Sequence, residues 1–170
     1  MKRTTYPDLV LAISLTSRGM GYVVLEGPQT PFDWGMMGRD AKNQSRVAIA
    51  KVATLIETCQ PVAMVLENLD GKAVRHSRSL KRLSLRLAHL AENRGLTVAR
   101  FDRTTIRNAF APLGAKTKPE IAEAIAIAIP AFSHRTPPKR KIWMSEDRRQ
   151  LLFDAAALGM TYLGRDHADV

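Results

Sequence analysis

Two acidic residues sit where the chain is otherwise apolar. Glu67 directly follows the run VAMVL (62–66), and Asp154 lies in LLFDAAALG (151–159). A carboxylate in such surroundings costs on the order of several kcal/mol unless a cation pairs with it or it sits at an opening of the core. Glu67 therefore reads either as a functionally placed acid or as a loop-facing surface side chain. Asp154 carries the same pair of readings, with more apolar neighbours against it. Asp147 reads as an acid in the first turn of a helix, where the helix dipole favours it. Asp70 reads as a turn residue before Gly71. Ser14 lies in another apolar run, LVLAIS (9–14), and reads as a small residue tolerated there. No His follows it at a spacing that would activate it as a nucleophile.

The basic residues carry the second signal. Lys and Arg number 26 against 16 Asp and Glu, for a net charge of +10. Such an excess favours a polyanionic partner, usually nucleic acid, over the alternative of a basic surface kept for solubility. Between Lys72 and Arg86 stand Lys72, Arg75, Arg78, Lys81, Arg82 and Arg86, with no acid among them. Steps of three and four put Arg75, Arg78, Arg82 and Arg86 on one helical stripe, opposite Leu80, Leu83, Leu87 and Leu90. Like charges on one stripe repel, and a phosphate backbone would relieve them; a solvated basic face is the plain alternative. Lys139, Arg140 and Lys141 form a second patch, in a basic loop over 133–142. Lys116 and Lys118 precede a further helix, and Arg18 lies in the first hairpin; all three could meet phosphates. Aromatic residues make up 6% of the chain, so phosphate contact and shape fit better than base stacking.

Positioning these residues requires both strands and helices. The apolar runs at 9–14, 22–25, 32–36, 62–66 and 96–100 predict five strands. Short links make the first three an antiparallel meander. Helical spacing predicts helices over 44–59, 77–93, 104–110, 118–129 and 145–163, the last with a frayed tail over 164–170. The two prolines and basic run of 134–141 predict a loop. The whole is a single α/β domain over 1–170, a mixed five-stranded sheet of meander plus parallel strands, flanked by helices. The lone Cys59 excludes a disulfide within the chain and reads as a core thiol. No apolar stretch reaches the roughly 18 residues of a membrane span, and the N-terminal run is too short for a secretory signal. The expectation is a cytoplasmic protein with no membrane partner.

That order of elements is also the order of the ribonuclease H-like fold, and four segments resemble the RuvC-like Holliday-junction resolvases. LAISLTSRGMGYVVLEG resembles their first hairpin, and VAMVLENLDGK their second motif, with Glu67 at the strand end. GAKTKPEIAEAIA resembles their Gly-rich turn and Lys-led helix. FDAAALGMTYL resembles their last helix, with Asp154 in the final acidic position. The whole chain is also similar to small bacterial RuvC-like proteins with TSRG…VLEGP…DWG and WMSED…FDA segments. The resemblance implies a homodimer that cuts branched or duplex DNA. It implies carboxylates holding two Mg²⁺ or Mn²⁺ ions, which clamp a phosphodiester and activate water. Glu67 and Asp154 are the metal ligands it carries over. Two departures stand against it: the first-strand Asp falls on Ser14, and the other helix carboxylate falls on Leu151. Asp70, Asp147 or a partner chain would have to complete the site. Otherwise the chain is a catalytically degenerate nucleic-acid-binding or scaffolding module on the same fold.

Overall fold

The computed structural model describes residues 8–38, 43–70, 78–138, 141 and 147–166. β1 (Val10–Thr16), β2 (Gly19–Gly27) and β3 (Thr30–Gly38) form the meander. α1 (Gln44–Cys59), β4 (Ala63–Glu67), α2 (Arg78–Asn93) and β5 (Thr97–Phe101) follow. Then come α3 (Arg103–Phe110), α4 (Lys118–Ala128) and α5 (Gln150–Asp166). The sheet order is β3-β2-β1-β4-β5. β1 pairs antiparallel with β2 and parallel with β4, and β4 pairs parallel with β5. The mixed α/β sheet read from the sequence is the one observed.

Strand alternation divides the core into two layers. Leu11, Ile13, Met64 and Leu66 face α1 and α2, where they meet Val52, Leu55, Leu83 and Leu87. Val10, Ala12, Ala63 and Val65 face the other way, towards Leu158 of α5. α4 joins that second layer through Ile121 and Ile125, beside Phe132 and Phe153. The rings of Trp34, Phe132 and Phe153 meet edge to face there, at centroid separations of 5.2 and 6.3 Å.

Two glycines admit close approaches that a side chain would forbid. Gly19 ends the Ser17-Arg18 turn at φ 154°, and a Cβ there would strike the Met37 carbonyl. A Cβ on Gly21 would strike the Leu151 carbonyl, so β2 is bare where α5 begins.

Three segments differ from the sequence reading. α5 starts at Gln150 rather than near residue 145, because the Asp147 side chain accepts a bond from the Arg149 N–H at 2.9 Å and holds a turn there. That helix also extends to Asp166, into the stretch expected to fray. Pro130–Arg135 forms a 3₁₀ helix, so His134 and Arg135 are not loop residues. The Ser133 hydroxyl donates to the Pro130 carbonyl at 2.8 Å, closing that turn. Lys139, Arg140, Ser145 and residues 167–170 lie outside the described residues.

Candidate functional site

Glu67 is the last residue of β4, and its side chain leaves the sheet on the face that Ala63 and Val65 share. The last parallel pair of β1 and β4 is Ile13 with Leu66, so Ser14 is the next residue beside Glu67. Ser14 pairs with Gly21 and is 1% exposed, under the start of α5. Asp154, one turn into α5, faces the same space. The structure thus brings Glu67, Asp154 and Ser14 to one place on one sheet face. Glu67 and Asp154, with α3 and α4, bound a cleft of about 400 Å³, and Ser14 stays buried beside it.

Two cations of the chain occupy the carboxylates. Arg103 Nε lies 3.3 Å from Glu67 Oε1, and the Glu67 side chain is 14% exposed. Lys118 Nζ lies 3.4 Å from Asp154 Oδ2. The Gln150 side-chain amide donates to Asp154 Oδ1 at 2.9 Å, from one turn earlier on the same helix. Burial pushes the Glu67 carboxyl above its ordinary 4.5, against the opposing pull of Arg103; the nearby Asp154 charge pushes it further and Lys118 pulls it back.

The positions of those cations follow from local sequence. Asp102 caps α3 by accepting the Thr105 N–H at 2.7 Å, which makes Arg103 the first helical residue. Thr117 caps α4 in a capping box with Glu120, which makes Lys118 the first residue there. A cation at a helix N-terminus opposes the helix dipole. Here each faces a carboxylate across the cleft, and that attraction offsets the penalty. Arg107 follows Arg103 by one turn and Lys116 precedes the Thr117 cap, so both also line the cleft. Sequence reasoning singled out Lys116 and Lys118 but missed Arg103 and Arg107. The readable signal was a basic residue placed directly after a capping Asp, with a second four positions on.

The other candidates lie elsewhere. Asp147 does not line the cleft; Arg149 binds it through Nε and a terminal nitrogen, each at 2.9 Å, and holds its carboxyl down at about 2. Asp70 is exposed, and its backbone N–H donates to the Asn68 side chain at 3.0 Å. Arg78, Lys81, Arg82 and Arg86 are exposed along α2, whose Leu80, Leu83 and Leu87 are buried. α2 packs on the sheet face opposite the cleft, so the sheet separates the stripe from the carboxylates. Arg18 is exposed in the β1–β2 turn, and Lys141 is exposed. Lys72 and Arg75 lie outside the described residues.

This set of side chains does not fit a two-metal centre. Such a centre needs several hard oxygen donors around each ion. Among the described residues no three His, Cys, Asp or Glu side chains gather in a metal-binding group. Ser14 is neutral and buried, Leu151 is apolar, and both cleft carboxylates already face a guanidinium or an ammonium.

The fold is the ribonuclease H-like fold as RuvC Holliday-junction resolvases carry it. Thermus thermophilus RuvC, in complex with a Holliday junction substrate, superposes with a TM-score of 0.70 at 15% identity, covering 95% of this chain and 96% of that one. The yeast mitochondrial Holliday junction resolvase Ydc2 gives 0.61 at 14% identity, over 92% of this chain and 78% of that one. The fowlpox virus Holliday junction resolvase gives 0.55 at 11% identity, over 92% and 98%. No protein-family model and no curated protein sequence matches the chain. Among the described residues no helix is long and apolar enough to cross a membrane.

Proposed function

We propose that this protein binds nucleic acid, branched or duplex DNA first among its forms, and does not hydrolyse it. The observation that carries this reading is the pairing of Glu67 with Arg103 and of Asp154 with Lys118. Cations built into the chain neutralise the two acids that the resemblance assigns to metal binding. The net charge of +10 and the exposed Arg78, Lys81, Arg82 and Arg86 support an electrostatic grip on phosphates. The likeness of fold to junction resolvases supports branched DNA as the first substrate to try. A homodimer is part of the proposal, and light scattering of the purified chain tests it.

The deciding experiment incubates the protein with four-way junctions, flaps, duplex DNA and single-stranded RNA, with Mg²⁺ or Mn²⁺. The expected result is salt-sensitive binding with no cleavage. Metal-dependent cleavage that disappears in Glu67→Gln and Asp154→Asn would overturn the non-hydrolytic reading and restore a nuclease. Absence of binding at low salt would overturn nucleic-acid binding itself.

A further inference from the structure

The cleft carries more positive charge than its carboxylates neutralise. Arg103, Arg107, Lys116 and Lys118 line it against Glu67 and Asp154, four cations to two anions. Arg107 and Lys116 are the surplus: among the described residues, neither has a carboxylate within ion-pair distance. The charge of Lys116 also reaches Glu120. Glu120 Oε2, however, accepts the backbone N–H groups of Lys116 and Thr117 at 2.7 and 3.3 Å and belongs to the α4 cap. Arg103 faces Glu67 through Nε. Its 3.3 Å separation exceeds the ~2.7–2.9 Å of a tight charge-assisted bond.

Beneath these charges the floor is apolar, formed by Ile106, Ile121 and Leu158. A volume of about 400 Å³ lies within the ~300–1,000 Å³ of small-molecule sites. A ligand for this cleft therefore needs an apolar part and roughly two negative charges. A phosphodiester carries one. A phosphate monoester carries about 1.5–2 near pH 7.

We propose that the cleft takes the phosphate monoester of a nucleoside without a metal ion, the phosphate between Arg107 and Lys116 and the base against the apolar floor. The inference rests on the nucleic-acid reading above and names the ligand class for that site. The monoester has two sources, the phosphorylated end of a strand or a free nucleotide, and the test separates them.

One oligonucleotide is prepared with a 5′-phosphate, with a 3′-phosphate, or with hydroxyls at both ends, and its binding is followed by fluorescence anisotropy in EDTA. One phosphorylated end should bind about tenfold tighter than the hydroxyl form, the worth of a hydrogen-bonded charge. That preference should vanish in Arg107→Ala and Lys116→Ala. Both side chains are exposed, so an unchanged Tm accompanies the loss. In a second arm, adenosine monophosphate and inorganic phosphate are titrated calorimetrically. Monophosphate binding without any end preference assigns the cleft to a free nucleotide. Equal binding of the three oligonucleotides together with no monophosphate binding overturns the inference and leaves nucleic-acid binding standing. Inorganic phosphate binding as tightly as the nucleotide overturns the role of the apolar floor. No binding of any oligonucleotide at low salt overturns the nucleic-acid reading, and the monophosphate titration then decides the cleft alone.

Discussion

Glu67 and Ser14 are neighbours on one sheet face, and their environments make opposite predictions for substitution. Burial raises the Glu67 carboxyl above 4.5, outweighing the attraction of Arg103. Well below pH 4.5 the carboxyl is protonated in both the folded and the unfolded chain, and no charge is buried. As pH rises past that value the unfolded chain ionises first, so the fold loses stability until the folded carboxyl ionises too. Glu67→Gln should therefore raise Tm near pH 7, and that gain should vanish well below pH 4.5. A fall in Tm at pH 7 would mean that the Arg103 contact outweighs the desolvation. Ser14→Asp does the reverse, adding a carboxylate at a position that is 1% exposed. Its expected cost is on the order of 3–5 kcal/mol in EDTA. Mn²⁺ should recover part of that loss, because a third carboxylate beside Glu67 and Asp154 makes a donor set. No recovery would count against the adjacency of Ser14 and Glu67. The acids were legible in the sequence because a charge in an apolar run is conspicuous. Arg103 and Arg107 carried only the weak signal of a basic pair after a capping Asp, which looks like solvated surface charge until the partner across the cleft is known.

The elements follow the same division between pattern and contact. α1 occupies 44–59, the span its apolar spacing predicts, since an amphipathic period survives without knowledge of what it packs on. The strands were readable from their apolar runs, and the three-strand meander from its short links. The start of α5 was not, because it depends on the bond that the Arg149 backbone N–H donates to the Asp147 side chain. The 3₁₀ helix Pro130–Arg135 was hidden because two turns are too short to show a period. α5 also depends on an absent side chain. It lies over β2 at Gly21, where a Cβ would meet the Leu151 carbonyl. Gly21→Ala should push the first turn of α5 off the sheet at a cost of about 1–3 kcal/mol. Because Asp154 rides on that helix, its contact with Lys118 should loosen as well. Chemical denaturation gives the stability loss. Retention of wild-type stability would show that α5 can shift without cost.

At the scale of the molecule, two basic surfaces lie on opposite faces of one sheet. The cleft is bounded by α3, α4 and α5, whereas Arg78, Arg82 and Arg86 lie on α2 in the other layer. The stripe follows Glu67 closely in sequence, yet α2 packs on the sheet face opposite the one Glu67 leaves, so closeness along the chain is not closeness in space here. From Arg78 to Arg86 is about 12 Å along a helix, long enough to reach several phosphates of a duplex carrying one charge per ~1.7 Å of axis. Each duplex phosphate contact contributes about −0.9 to the slope of log K against log salt. If the stripe grips duplex DNA, replacing Arg78, Arg82 and Arg86 together by Ala should flatten that slope by nearly three units for a four-way junction. The same triple change should leave the end-phosphate preference of the cleft intact, because the sheet stands between them. A slope unchanged by the triple substitution would assign the stripe to solvation and leave the cleft side of the sheet as the nucleic-acid face. A slope that flattens together with loss of the end preference would mean that one strand wraps from α2 around the sheet edge into the cleft, coupling the two surfaces through the bound polymer.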